Sequence, residues 1–143
     1  MRSDMHNDMK ASRGLSPVAA APTGNTALVS QIVDTSLFFS TEFVILLGSI
    51  ADVDATFVVL VEDGDNASLT DNAAVADAQL LGTEAGAAYL FSDDNKVVKI
   101  GYRGSKRYVR VTVTPSANSG DHCIAGVWIQ SHPRTAANTT QIV

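Results

Sequence analysis

From residue 107 to 114 the side chains alternate: Arg107, Val109, Val111 and Val113 fall on one face of an extended chain, and Tyr108, Arg110, Thr112 and Thr114 on the other. One dry face and one wet face describe a sheet packed on a single side. Segments 26–33, 42–47, 56–61, 96–100 and 123–130 are also short and rich in β-branched residues, and Gly, Asp, Asn, Ser or Pro separate them. Six such strands with almost no helical periodicity predict an all-β fold, a single β-sandwich or small barrel with meander or Greek-key connections. Segment 73–81 suits a helical turn or a further strand, since its alanines favour helix and their neighbours favour neither. Segment 85–91 is a weaker strand candidate. Arg103-Gly104-Ser105 predicts a tight hairpin with Gly104 at positive φ. Trp128 shares a strand face with Gly126 and Gln130, and a core position is favoured over an exposed anchor.

A chain of 143 residues should hide roughly two thirds of the surface its unfolded form exposes, enough for one core. We expect three zones: an extended N-terminal arm over residues 1–25, a β domain over 26–130 and a C-terminal tail over 131–143. The arm lacks alternation, and Pro17 and Pro22 restrict its freedom, so a partner surface such as a neighbouring subunit is expected to order it. Residues 1–10 are polar, with no apolar run behind a basic start, so no secretion signal is expected. The longest apolar runs, such as 43–47, are far too short to cross a bilayer, and no membrane association is expected.

Residues that carry chemistry are sparse. His6, His122 and His132 stand in three unrelated contexts, and the single cysteine, Cys123, excludes an internal disulfide and a thiolate metal cluster. Cys123 and His122 are adjacent on a strand, so their side chains point to opposite faces and form no nucleophile pair; a small buried cysteine is expected. The acidic run 62–66 lacks the length and closing glutamate of a calcium loop and is expected to be a solvated turn. Two glycosylation sequons, at Asn66 and Asn138, carry no meaning without a secretion signal. We therefore expect no catalytic residues, no cofactor and no metal, and a protein that is not an enzyme.

Charge is more informative. Segment 41–94 holds eleven acidic residues and no Lys or Arg, whereas Lys96, Lys99, Arg103, Lys106, Arg107 and Arg110 supply six of the ten basic residues. With a net charge of −5 and only Tyr102 and Tyr108 in the ribbon, nucleic acid is not the expected partner, because its binding rests on phosphate neutralisation and base stacking. The segregation predicts an electrically two-sided molecule, whose basic ribbon meets acidic surface on another chain in a ring-closing contact. A ribbon that is simply solvated is the plain alternative.

The runs Leu81-Gly-Thr-Glu-Ala-Gly86, Asp93-Asp-Asn-Lys-Val97, Ile100-Gly-Tyr-Arg-Gly104, Lys106-Arg-Tyr-Val-Arg110, Thr112-Val-Thr-Pro115 and Ser131-His-Pro-Arg134 resemble a family of small proteins encoded beside the major capsid gene in tailed bacteriophages and prophages. The likeness covers roughly residues 24–134. It implies a capsid decoration, or cement, protein on the exterior of the virion, made in the cytoplasm of a bacterial host. The implied partners are the major capsid protein and further copies of the chain, with a trimer favoured. Arg103, Lys106, Arg107, Arg110, Lys96, Lys99, Pro17 and Pro22 are the candidate contact residues. A head–tail joining or tail protein, and an unrelated β-sandwich binding module, are the alternatives.

Overall fold

The computed structural model describes residues 4–17 and 24–135. Pro22 and residues 136–143 of the expected tail lie outside them. Among the described residues eleven strands run in chain order: β1 Met9–Leu15, β2 Leu28–Val29, β3 Val33–Asp34, β4 Phe38–Ile50, β5 Thr56–Gly64, β6 Ala73–Ala74, β7 Leu80–Leu81, β8 Tyr89–Leu90, β9 Val97–Tyr102, β10 Tyr108–Ser116 and β11 His122–Pro133. Two one-turn helices, α1 Met5–Asp8 and α2 Glu84–Ala87, accompany them. One antiparallel sheet has the order β1-β11-β4-β9-β7, and the other is built on β2-β10-β5-β6, with β3 also on β10 and β8 also on β5. The two sheets face each other as a sandwich, not a closed barrel.

Alternation decides which faces meet. Val109, Val111 and Val113 are 0% exposed, and they pack against Phe57, Val59 and Val61 of the same sheet and against Phe43, Ile45 and Ile100 of the other within one core. Full burial of such side chains stabilises a fold by about 1.5–3 kcal/mol each. Trp128 is a core residue, with its ring 4.5 Å from that of Phe43 and its indole N–H donating to the Gln31 carbonyl at 2.9 Å. The buried Gln130 amide likewise donates to the Asp34 carbonyl at 2.9 Å. Both polar heads are therefore satisfied by the irregular stretch around β2 and β3.

That stretch is the expected strand 26–33, and it is broken for a physical reason. Ser30 inserts its hydroxyl where a backbone carbonyl would stand: Val111 N–H donates to Ser30 Oγ at 2.9 Å while Ser30 N–H donates to the Val111 carbonyl at 2.8 Å. The next residue then turns to the opposite sheet, where Gln31 N–H donates to the Gly14 carbonyl at 2.9 Å.

Several expectations are corrected. Within the expected arm, Met9–Leu15 is an edge strand held by β11 of its own chain, and Gly14 and Leu15 are buried. The expected tail begins late, because β11 runs on to Pro133. Segment 103–107 is no hairpin but a crossing between the sheets, since β9 has β4 and β7 on its two edges while β10 has β5 and the β2–β3 stretch on its own. Gly104 is not among the glycines at positive φ; a Cβ there would lie 2.4 Å from the Tyr102 hydroxyl, so close approach is what requires glycine. Cys123 is exposed, and its neighbour His122 is the buried member of the pair. Segment 73–81 is neither one helix nor one strand but two short bridging strands around a 3-10 turn, and 85–91 holds the end of α2 and β8.

Candidate functional site

The antiparallel register of β10 on β5 places Arg110 opposite Glu62, and the Arg110 guanidinium donates twice to Glu62 Oε2, at 2.7 and 3.1 Å. Arg107 forms a bidentate pair with Asp34, Nη2 to Oδ2 at 2.7 Å and Nε to Oδ1 at 3.1 Å, and Lys106 pairs with Asp65. Charges that are segregated along the sequence are thus interleaved in space, which corrects the expectation of a two-sided molecule. Arg107 holds the Asp34 carboxyl down from 3.8 to about 2, aided by the backbone N–H of Ser36. The Asp65 carboxylate raises Lys106.

A pH dependence follows. A carboxyl whose folded pKa is depressed adds stability above its unfolded value, and that stability is lost as pH falls through the folded value. The stability difference between the native chain and Arg107→Gln should be constant down to about pH 4 and vanish near pH 2. Both side chains are well exposed, so solvent screening should keep the plateau small. Urea melts of the two proteins across this range provide the check.

Under the ribbon sits a buried clamp. The Tyr102 hydroxyl donates to Asp63 Oδ2 at 2.7 Å and accepts from the Lys106 N–H at 3.0 Å, tying the crossing segment to the end of β5. Burial and the neighbouring Asp63 carboxylate push the Tyr102 phenol up. The 81–86 motif is also a structural device. Thr83 Oγ1 caps α2 by accepting from Gly86 N–H at 3.0 Å, and Glu84 Oε1 accepts from Val61 N–H at 2.6 Å on the edge of β5. Sequence reasoning missed this role of Glu84, and also those of Ser30 and Asp63. The only signal for them was a polar residue beside an apolar strand.

The expected contact residues do not share one surface. Arg103, Lys106 and Arg107 line a cavity at the end of the sandwich together with Arg134, while Arg110 lies on the outer face of β10. Arg134 rests on the Phe39 ring, 4.2 Å from its centroid. Lys99 belongs to the outer face of the β11-β4-β9 sheet, beside Val44 and Val127. That face is aliphatic, with Leu46 46% and Val97 64% exposed next to Ala125. Pro17 borders it, and Lys96 lies in the loop before β9 and pairs with Asp93 at 2.9 Å. Burial raises the Glu42 carboxyl, which shares this face, with Lys99 opposing. Among the described residues no group of three His, Cys, Asp or Glu is gathered to hold a metal ion, and no helix is long and apolar enough to cross a membrane.

No protein-family model matches the chain, and no curated protein sequence matches it. Among solved structures, it is similar to a chain from the capsid of Ralstonia phage GP4, at TM-score 0.52 and 13% identity over 94% of this chain and 91% of that one. It is similar more weakly to the SPBc2 prophage-derived protein YomS, at TM-score 0.44 and 12% identity over 86% and 94%. A Clostridium thermocellum xylanase fragment, of CBM22-1 and GH10 modules, matches at TM-score 0.42 and 10% identity over 94% of this chain and 28% of that one. At these identities the first likeness is one of fold, and the two weaker ones carry no argument.

Proposed function

We propose that the chain is a virion structural protein that binds the outside of a phage capsid and stabilises the closed shell, as a decoration or cement protein. The observation that carries this reading is the shared fold with a phage capsid chain over nearly the whole length of both. The resemblance of the 81–134 motifs to proteins encoded beside the major capsid gene points the same way. The internal polar groups support it too: Asp63, Glu62, Glu84, Ser30 and Gln130 are all engaged in holding strands together, which suits a rigid block. The aliphatic outer face around Leu46 and Val97 is an adhesive surface of the kind that marks protein contacts.

A protein that binds the closed shell and not its separated parts stabilises the closed state by its own binding free energy. A net charge of −5 suits the exterior, because a negative inner lining would repel packaged DNA. Copies of the chain around a symmetry axis, a trimer first, fit this role, with the major capsid protein as the partner. Quantitative gels of purified particles test it. We expect a band comparable in copy number to the major capsid protein; a trace band would favour a head–tail joining protein, and absence from particles would end the proposal.

A further inference from the structure

We infer that the cavity at the end of the sandwich is a receptor for carboxylate side chains on an acidic segment of a protein partner. It encloses about 380 Å³, within the range of about 300–1,000 Å³ typical of ligand sites. Arg103, Lys106, Arg107 and Arg134 line it, with hydroxyls from Ser36 and Ser105, and no carboxylate is part of the lining. Lys106 and Arg107 are already paired with Asp65 and Asp34. Arg103 and Arg134 have no acidic partner among the described residues, so the cavity has two uncompensated guanidinium groups.

The backbone that carries each of them is anchored. Arg103 follows β9, where its N–H donates to the Gln79 carbonyl at 2.9 Å; Arg134 follows β11, where its N–H donates to the Leu37 carbonyl at 2.9 Å. The Phe39 ring further fixes the Arg134 guanidinium. Each is a planar fork matched to a carboxylate, and the seating of Arg134 on Phe39 lowers its ordering cost on binding. Two spare positive charges in a recess suit one or two carboxylates. They do not suit a nucleic-acid duplex, which needs a line of cations along many phosphates, and the net charge of −5 opposes it further.

The cavity chemistry stands alone, while the partner's identity as a capsid protein rests on the function proposed above. The test is isothermal titration at low salt of the native chain and of Arg103→Gln/Arg134→Gln. Four probes are used: an Asp-rich hexapeptide, its Asn-substituted counterpart, inorganic phosphate and a short DNA duplex. The acidic peptide should bind the native chain and weaken with salt, the Asn peptide should not bind, and the double variant should lose about tenfold or more in affinity for the acidic peptide. Arg103→Lys/Arg134→Lys should fall between, keeping charge but losing the fork.

Undetectable binding of the acidic peptide, or equal binding by the double Gln variant, would overturn the inference. Tighter, Arg103- and Arg134-dependent binding of phosphate or duplex would overturn it in favour of a phosphate site. Thermal melts of the variants confirm folding, since both arginines are exposed. Co-sedimentation with capsids separates the two proposals. A native chain that fails to coat capsids sinks the decoration role and leaves the titration untouched. A double Gln variant that coats them at the native level sinks the cavity as the partner contact.

Discussion

Arg110→Glu is expected to destabilise the fold by about 2–4 kcal/mol, before any effect on assembly is read. The Arg110 and Glu62 side chains are 24% and 14% exposed, so water compensates poorly for a lost partner. Breaking a fully buried ion pair costs about 3–5 kcal/mol, whereas exposed pairs contribute about 0–1 kcal/mol; this pair lies between. Reversal also sets two carboxylates opposite each other across adjacent strands, where like charges repel. The melting temperature should fall by roughly 5–15 °C for a chain of this size.

The exchange Arg110→Glu/Glu62→Arg should recover most of that loss, because the pair is restored with its ends swapped. Asn72, whose amide donates to Glu62, is the neighbour most disturbed by the swap. Arg107→Glu, with Arg107 55% and Asp34 40% exposed, should cost far less. Circular-dichroism melts of the four proteins decide the matter. A single Arg110 variant that melts with the native chain, or a swap no better than the single change, would remove the pair from the account. Reversing both arginines is therefore a poor assay of assembly, contrary to what their position in a solvent-facing ribbon suggests.

The sheets were legible in the sequence because burial on one face imposes period two: Val109, Val111 and Val113 announce β10, and Trp128 with Gln130 announces the core face of β11. β1 was not legible. Its exposed residues are Ala11 and Arg13, polar Lys10 and Ser12 stand half-buried opposite Gln130 and Trp128, and only Gly14 and Leu15 are fully buried, so an edge strand reads like an arm. The route between strands was not legible either. Alternation in β9 and β10 gives their faces but not their sheets, and the crossing at 103–107 depends on which edges other strands already occupy.

Charge failed for a related reason. An acidic segment and a basic segment far apart in sequence become cross-strand neighbours when β5 and β10 pair, and only the register says which acid meets which base. Arg103 could be picked out as part of a basic ribbon. That it faces the same recess as Arg134 follows only from where β9 and β11 end.

Tyr102→Phe should cost about 2–4 kcal/mol and should act locally first. The hydroxyl is the donor to Asp63, which is 8% exposed, and the acceptor for the Lys106 N–H. Without it a buried carboxylate and a backbone amide both lose a partner, and the desolvation of each is left uncompensated. Asp63→Asn in the Phe background removes the buried charge and should recover about half of the loss, a coupling that a double-mutant cycle by urea denaturation measures. Hydrogen exchange gives the local reading: the Lys106 amide should exchange faster in Tyr102→Phe even under conditions where the valine strand β10 stays protected. The same variant frees the segment that carries Arg103, so its affinity for the acidic peptide should fall although no residue lining charge has changed. A Tyr102→Phe protein within about 0.5 kcal/mol of the native chain, with an unaltered Lys106 amide, would mean that the crossing is held by packing against the ring and not by its hydroxyl.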